Sequence, residues 1–298
     1  MIPRIVGISI TDTSVHALEL SKTGVVSTLH AIDEWENPFG TGPGDADPQA
    51  LELFTEYLAA FIKTNQVKAT DASVAVDSSS LFIHRLPVEE SASDGTIREQ
   101  IRWEIEQYFP GIPASEFITD YHRMSRFPSV RLNEVLSVTV RRKTAQGLEK
   151  ALSDVGLRLH ILDADQFSAE TTFRQNYPDA LRRHVALVGI KSHRIDTTIL
   201  KNGNMESYSY APVQTPDEIS ERIAAVSREN TGIPSLVVYG PALNAELLTQ
   251  IRRGVSVLVE ALNPLRNVTI ANTLRVGAHL STPSYRFAAV LGVALRRD

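Results

Sequence analysis

Gly7-Ile8-Ser9-Ile10-Thr11-Asp12-Thr13-Ser14-Val15-His16-Ala17-Leu18-Glu19-Leu20 fixes the reading of this chain. Ile5, Ile8 and Ile10 precede a polar run of four residues, and Val15, Ala17, Leu18 and Leu20 follow it. Two short apolar runs around a polar turn predict a β-hairpin that opens an α/β domain. Residues 25–34 continue with alternating character as a third strand. A second strand–turn–strand unit starts at residues 185–190, returns at 195–200 and turns again at Asn202-Gly203. A chain that repeats its opening device is expected to hold two related halves, each with a mixed five-stranded sheet.

Composition narrows the function classes. A length of 298 residues accommodates one large domain or two smaller ones. Hydrophobic residues at 43% with 22% charged fit a soluble globular protein. The formal charge of −5 and the lack of a basic face make nucleic acid an unexpected partner. The chain has no cysteine, which removes disulfides, thiol nucleophiles and cysteine metal ligands together. A strand entered within the first few residues leaves no room for a signal peptide. No apolar run approaches the ~18 residues of a spanning helix, so direct membrane insertion is not expected. Membrane association would come through a partner.

Between the hairpins the pattern divides the chain. Residues 1–86 read as the first part of one half, with a helix opened by Pro48 and short strands at 72–76 and 81–86. Residues 87–142 read as an inserted α+β module. Thr96 is placed to cap its helix, which carries Ile97, Ile101, Trp103, Ile105 and Tyr108 and stops at Phe109-Pro110-Gly111. Strands follow at 117–124 and 134–141. Residues 143–183 return to the first half as helix, strand and helix, with Gly156 ending the first of these. Residues 184–298 form the second half, in which Thr215-Pro216 opens a helix and strands are expected at 235–239 and 256–260. The last helix is a candidate to pack back on the first half.

The opening hairpin resembles the first phosphate hairpin of the actin-like ATPase superfamily, in the form carried by the PilM family of type IV pilus assembly proteins. Gly7, Ile8, Ile10, Ser14, Val15, Glu19 and Leu20 fit the pattern G-I-D-I-G-x-x-S-[VI]-K-x-x-E-L. The run Trp103-Glu104-Ile105-Glu106-Gln107-Tyr108-Phe109-Pro110, with Asp120-Tyr121 downstream, resembles the family's W-E-[AI]-E-Q-Y-[IF]-P … D-Y signature. Leu262-Asn263-Pro264-Leu265 resembles its L-N-P-F, and residues 286–296 resemble its last helix. The resemblance implies an α/β, actin-like (ribonuclease H-like) duplicated fold. The inserted module would be the 1C-type subdomain shared with the division protein FtsA. The short stretch after Thr215 implies a 2B subdomain reduced or absent.

Departures from the family pattern fall on the nucleotide positions. Ser9 stands for the first acid, Thr11 for the turn glycine and His16 for the lysine. Gly189 and Lys191 stand for the acid and glycine of the second hairpin, and Gly240-Pro241-Ala242 for a glycine-rich adenosine loop. An actin-like ATPase needs carboxylates around magnesium and bare backbone N–H groups at phosphate. The expectation is therefore no cofactor and no measurable Mg·ATP affinity, with ATP and magnesium expected only if this were a divergent ATPase. Glu104 and Glu106 point about 200° apart on a helix and do not form an acid pair. The eight histidines, His279 among them, lack metal-ligand spacing. Ser78-Ser79-Ser80 has no base partner visible in the sequence.

What the resemblance implies for function is a cytoplasmic scaffold of a type IV pilus or type II secretion-like platform, peripheral at the inner membrane. Its partner would be the cytoplasmic tail of a bitopic PilN-like protein, alongside other platform proteins. The tail would lie in a groove on the 1A and 1C subdomains, with Trp103, Tyr108, Phe109 and Tyr121 as candidate walls. Two rivals stand beside it: a divergent actin-like ATPase, and a protein resembling the cytoplasmic part of the secretion protein GspL. Chains of the latter kind continue into a transmembrane helix, whereas this sequence stops at Asp298.

Overall fold

The computed structural model describes residues 3–40, 47–124, 132–230, 232–274 and 283–296. Strands β1 (Arg4–Ile10) and β2 (Ser14–Thr23) pair antiparallel, with Ser9 opposite His16 and Ile10 opposite Val15. Strand β3 (Val26–Glu36) extends the meander. Helix α1 (Pro48–Asn65) starts where the Asp47 side chain accepts from the Gln49 N–H, with proline at its first position. It ends at Gln66 in left-handed backbone. It carries the chain over to β4 (Asp71–Val76), which lies parallel to β1.

The chain then leaves this sheet. Strand β5 (Phe82–Glu89), helix α2 (Asp94–Tyr108) and strands β6 (Phe117–Arg123) and β7 (Leu132–Arg141) form a separate sheet in the order β5-β7-β6. Ile97, Ile101 and Ile105 of α2 pack on Leu86, Val88, Phe117 and Val135. Two expectations change here. The strand expected at 81–86 within the first half pairs along its length with β7 instead. The helix is capped by Ser93, whose Oγ accepts from the Thr96 N–H, rather than by Thr96. The first fits β5's alternation, which buries Leu86 and Val88 beneath α2 and leaves Arg85 and Pro87 outside.

Helix α3 (Arg142–Asp154) and β8 (Arg158–Ala164) complete the first sheet, and α4 (Asp165–Asn176) follows without a break. The second sheet contains β9 (His184–Ile190), β10 (Arg194–Lys201), β11 (Asn204–Pro212), β12 (Ser235–Tyr239) and β13 (Leu258–Ala261). Its order β11-β10-β9-β12-β13 repeats β3-β2-β1-β4-β8 strand for strand. The duplication read from the two hairpins is therefore topological. Helices α5 (Pro216–Glu229) and α6 (Ala245–Gly254) serve it as α1 and α3 serve the first. Among the described residues only α5 stands between β11 and β12 as regular structure, where a fourth subdomain would project.

The first sheet has six strands, not the expected five. Strand β14 (Val268–Ile270), contributed from the second half, runs parallel to β3 and covers an edge that would otherwise present unpaired backbone. Helix α7 (Ala288–Leu295) also crosses from the second half, buries all eight residues and lies on β1, β2 and β4. Gly7 permits that approach, since a Cβ there would sit 2.5 Å from the Val290 carbonyl oxygen. Helix α4 makes the reciprocal move: Ala169 and Phe173 pack on Val185 and Leu187 of the second sheet. The two crossing helices meet at Gly292, where a Cβ would collide with the Ser168 carbonyl.

Candidate functional site

Two regions of the molecule concern the residues that the sequence singled out, a cleft and a groove. The first lies between the halves, where the β1–β2 and β9–β10 turns face each other. Thr11 is buried, and its Oγ1 accepts from the Ser14 N–H at 3.0 Å and donates to the Ser14 carbonyl at 2.8 Å. Thr11 thus closes the turn, and Asn37 beyond β3 completes it, its Nδ2 donating to the Thr11 carbonyl at 2.7 Å. Asp12 Oδ2 accepts from the Ser192 N–H at 2.8 Å, joining one turn directly to the other. Ser9 is buried with its hydroxyl unpartnered. His16 is fully buried against the edge of Phe287, with Glu34 Oε1 3.4 Å from Nε2. Burial pushes its pKa down, although Glu34 works the other way.

Lys191 enters from the second turn and is almost wholly buried. Its Nζ lies 3.0 Å from Asp77 Oδ1, 2.8 Å from Asp165 Oδ2 and 3.0 Å from Asp196 Oδ2, and also contacts Ser78 Oγ. Ser78 Oγ donates to Asp196 Oδ2 at 2.9 Å, and Tyr208 and Arg194 hold Asp196 Oδ1. Burial opposes the charge on Lys191, but the three carboxylates outweigh it and hold the ammonium well above the usual lysine range. One ammonium cannot satisfy all three acids equally. Burial, with Asp77 and Asp196 adding to it, pushes Asp165 up to about 7 despite Lys191. Burial also works against ionisation of Asp196, yet Lys191, Arg194 and Tyr208 together hold it below the usual range.

Gly189 has a packing role. A Cβ there would lie 2.6 Å from Gln166 Oε1 and 2.8 Å from the Tyr239 hydroxyl, which donates to that same Gln166 oxygen at 2.6 Å. Gly240 sits at φ +124° with its Cα against Ile190, and the Ala242 N–H donates to the Ile190 carbonyl at 3.3 Å. Pro241 is half-buried between them, so this loop packs on the end of β9. Sequence reasoning missed Asp77, Asp165 and Asp196. Asp77 and Asp165 directly follow the parallel strands β4 and β8, and carboxyl ends of parallel strands are where α/β proteins assemble sites. Ser78, which lacked a visible partner in the sequence, has two. The lysine among them is held protonated and cannot serve it as a base.

The second concavity is a groove of about 620 Å³ between the inserted sheet and the first half. Leu136, Val138 and Val140 of β7 and Ile118 of β6 form one wall, on the sheet face opposite α2. Ile161, Leu162 and Phe167, from β8 and α4, form the other. Among the described residues both β6 and β8 have a neighbour on one side only, so strand edges border it. Its charged lining includes Glu170 paired with Arg174 at 2.5 Å, and Asp163 paired with Arg296. Of the four expected wall residues, only Tyr121 borders the groove. Its hydroxyl donates to Asp94 at 2.7 Å. Trp103 is 58% exposed on α2, outside the groove. Tyr108 and Phe109 join Phe82 in an aromatic cluster elsewhere on the module. A signal was present: alternate residues Leu136, Val138 and Val140 of β7 are apolar on the face turned away from α2, whereas Val135 packs beneath it.

Among the described residues, no three or more His, Cys, Asp or Glu side chains are arranged to hold a metal ion. His279 lies outside the described residues. No described helix is long and apolar enough to cross a membrane. A family model described as type IV pilus assembly protein PilM matches residues 7–210. The chain belongs to that family. The PilM match covers both hairpin turns and the whole inserted module. The fold is also that of a solved PilM–PilN type IV pilus biogenesis complex, at 16% identity and TM-score 0.78 over 98% of this chain and 97% of that one. A Bacteroides thetaiotaomicron protein with an actin-like ATPase fold follows at 11% identity and TM-score 0.56, over 89% and 92%. The cytoplasmic domain of EpsL, an inner-membrane component of the type II secretion system of Vibrio cholerae, is 9% identical with TM-score 0.52, over 99% and 96%. At these identities the likeness is one of fold.

Proposed function

We propose that this protein is a non-enzymatic scaffold of a type IV pilus platform, cytoplasmic and peripheral at the inner membrane. It holds the short cytoplasmic tail of a bitopic PilN-like protein in the groove between the inserted module and the first half. The observation that carries this reading is the contrast between the two concavities: the cleft is filled by the chain's own side chains, and the groove is open. A magnesium nucleotide does not fit the cleft residues. The place for a cation holds Lys191, the two turns are bonded to each other through Asp12 and Ser192, and Gly240 is packed on β9. The groove offers what a disordered tail requires, apolar walls to offset its ordering entropy and strand edges for its backbone.

The test uses synthetic peptides of about a dozen residues from the tail of the PilN-like protein encoded beside this gene, read by fluorescence anisotropy. Micromolar binding is expected for a peptide burying a few apolar side chains. No binding at hundreds of micromolar protein sinks the scaffold reading. Millimolar Mg·ATP should leave the melting temperature unchanged. A ligand at 100 times its Kd would stabilise by about 2.7 kcal/mol and be plain in the same assay.

A further inference from the structure

We propose that the Lys191 ammonium is the resident cation of the cleft, occupying a cage of three aspartates and holding the two halves in one orientation. The cage is built across the interface. Asp77 and Ser78 follow β4 and Asp165 opens α4, all in the first half, whereas Lys191 and Asp196 belong to β9–β10 of the second. Nζ is within 3.0 Å of a carboxylate oxygen from each aspartate. All of these side chains are buried, and Asp77 Oδ2 has no hydrogen-bond partner, so the cage has more acceptor capacity than the lysine fills.

Charge counting gives the lysine its role. Three buried carboxylates meet two cations, and the second cation, Arg194, reaches only Asp196. Without Lys191, Asp77 and Asp165 would lie beside each other with no counter-charge, and buried acids so placed either repel or take up a proton, at a cost to the interface in both cases. A cation between carboxylates from both halves is what a bound metal–ligand complex would supply from outside. Here the side chain supplies it from within, so closure needs no ligand. Helix α4 starts at Asp165 and also forms a wall of the groove through Phe167, so the tethered cation fixes that wall as well.

The experiment is cation rescue of Lys191→Ala, followed by thermal unfolding at neutral pH. The variant should melt at least ten degrees below the parent. Ethylammonium chloride at 100 mM, small enough to replace the missing amine, should raise it by several degrees beyond what equal NaCl achieves. The parent should respond to both salts alike. Equal responses of the variant to ethylammonium and sodium overturn the proposal, as does a variant as stable as the parent. If Lys191→Ala does not fold, Lys191→Met combined with Asp77→Asn and Asp165→Asn removes the uncompensated charge while keeping the volume. Recovery of soluble, cooperatively melting protein supports the cage. Failure of this neutral version shows that shape rather than charge holds the halves, and overturns it. These readouts concern stability alone, so they stand whether or not the tail peptide binds.

Discussion

The cleft between the halves and the groove beneath the inserted module are both lined at the ends of parallel strands, yet they have opposite contents. In the cleft, acids meet their counter-ion within the chain, and the two hairpin turns bond to each other. In the groove, Val138, Val140 and Ile161 face open space beside two strand edges. Buried polar groups are tolerable only when paired, so a concavity that pairs its own charges has settled into structure. An apolar concavity with free edges retains unmet potential, and that is what a binding surface needs.

The most damaging way to break this contrast is to put an acid back at the second hairpin. Gly189→Asp would drive its Cβ into Gln166 and Tyr239 and add a fourth buried carboxylate near Lys191. A loss of about 3–5 kcal/mol is expected, a magnitude typical of an uncompensated buried charge. Differential scanning calorimetry should show the fall. A stable variant would mean that the cleft is roomier than its packing implies. Next in size, Val138→Glu places a charge on the groove wall. Tail-peptide affinity should weaken at least tenfold, about 1.4 kcal/mol, while stability changes by about 1 kcal/mol or less. Unchanged affinity would move the binding surface elsewhere.

A smaller effect sharpens the electrostatics. Asp165 has a folded pKa raised to about 7, above its unfolded value, so the folded state holds the extra proton between those limits. Its contribution is present at low pH and is lost as pH rises through about 7. His16, pushed down by burial, acts the other way: its contribution is present above the unfolded histidine pKa and is lost as pH falls below it. Melting temperatures of Asp165→Asn across pH 4–8 should lack the decline that Asp165 imposes as pH rises. His16→Gln should soften the acid limb instead. Parallel curves for variant and parent would contradict these assignments. The smallest change concerns the aromatic expected from sequence to be a wall. Trp103→Ala, on an exposed face of α2, should alter stability and tail affinity by less than about 0.5 kcal/mol. A larger loss of affinity would extend the binding surface around the module.

The fold was legible because hairpins and amphipathic helices announce themselves in local periodicity. The run around Gly7 and its counterpart near Gly189 marked two related halves, and the two sheets repeat one strand order. The family signature around Trp103 located the inserted module, though β5 was assigned to the wrong sheet because one buried strand looks locally like another. The site was less legible. The sequence indicated that Ser9, Thr11, Gly189 and Lys191 depart from the nucleotide pattern. It gave no sign that Lys191 would meet Asp77, Asp165 and Asp196.

What the sequence alone determined, then, was most of the elements, the duplication and the family, which rest on patterns local to each segment. The tertiary structure decided which residues meet. Lys191 and Asp77 are brought together only when β9 and β4 stop at the same cleft, and β14 and α7 reach the first sheet only by crossing from the second. Trp103 was a wall candidate read from the sequence, yet Val138 of β7, across from Ile161 and Phe167, is a residue that lines the groove. The physical reason is range. Backbone propensity and periodicity act along the chain, whereas burial and charge pairing act across space between segments the chain itself keeps far apart.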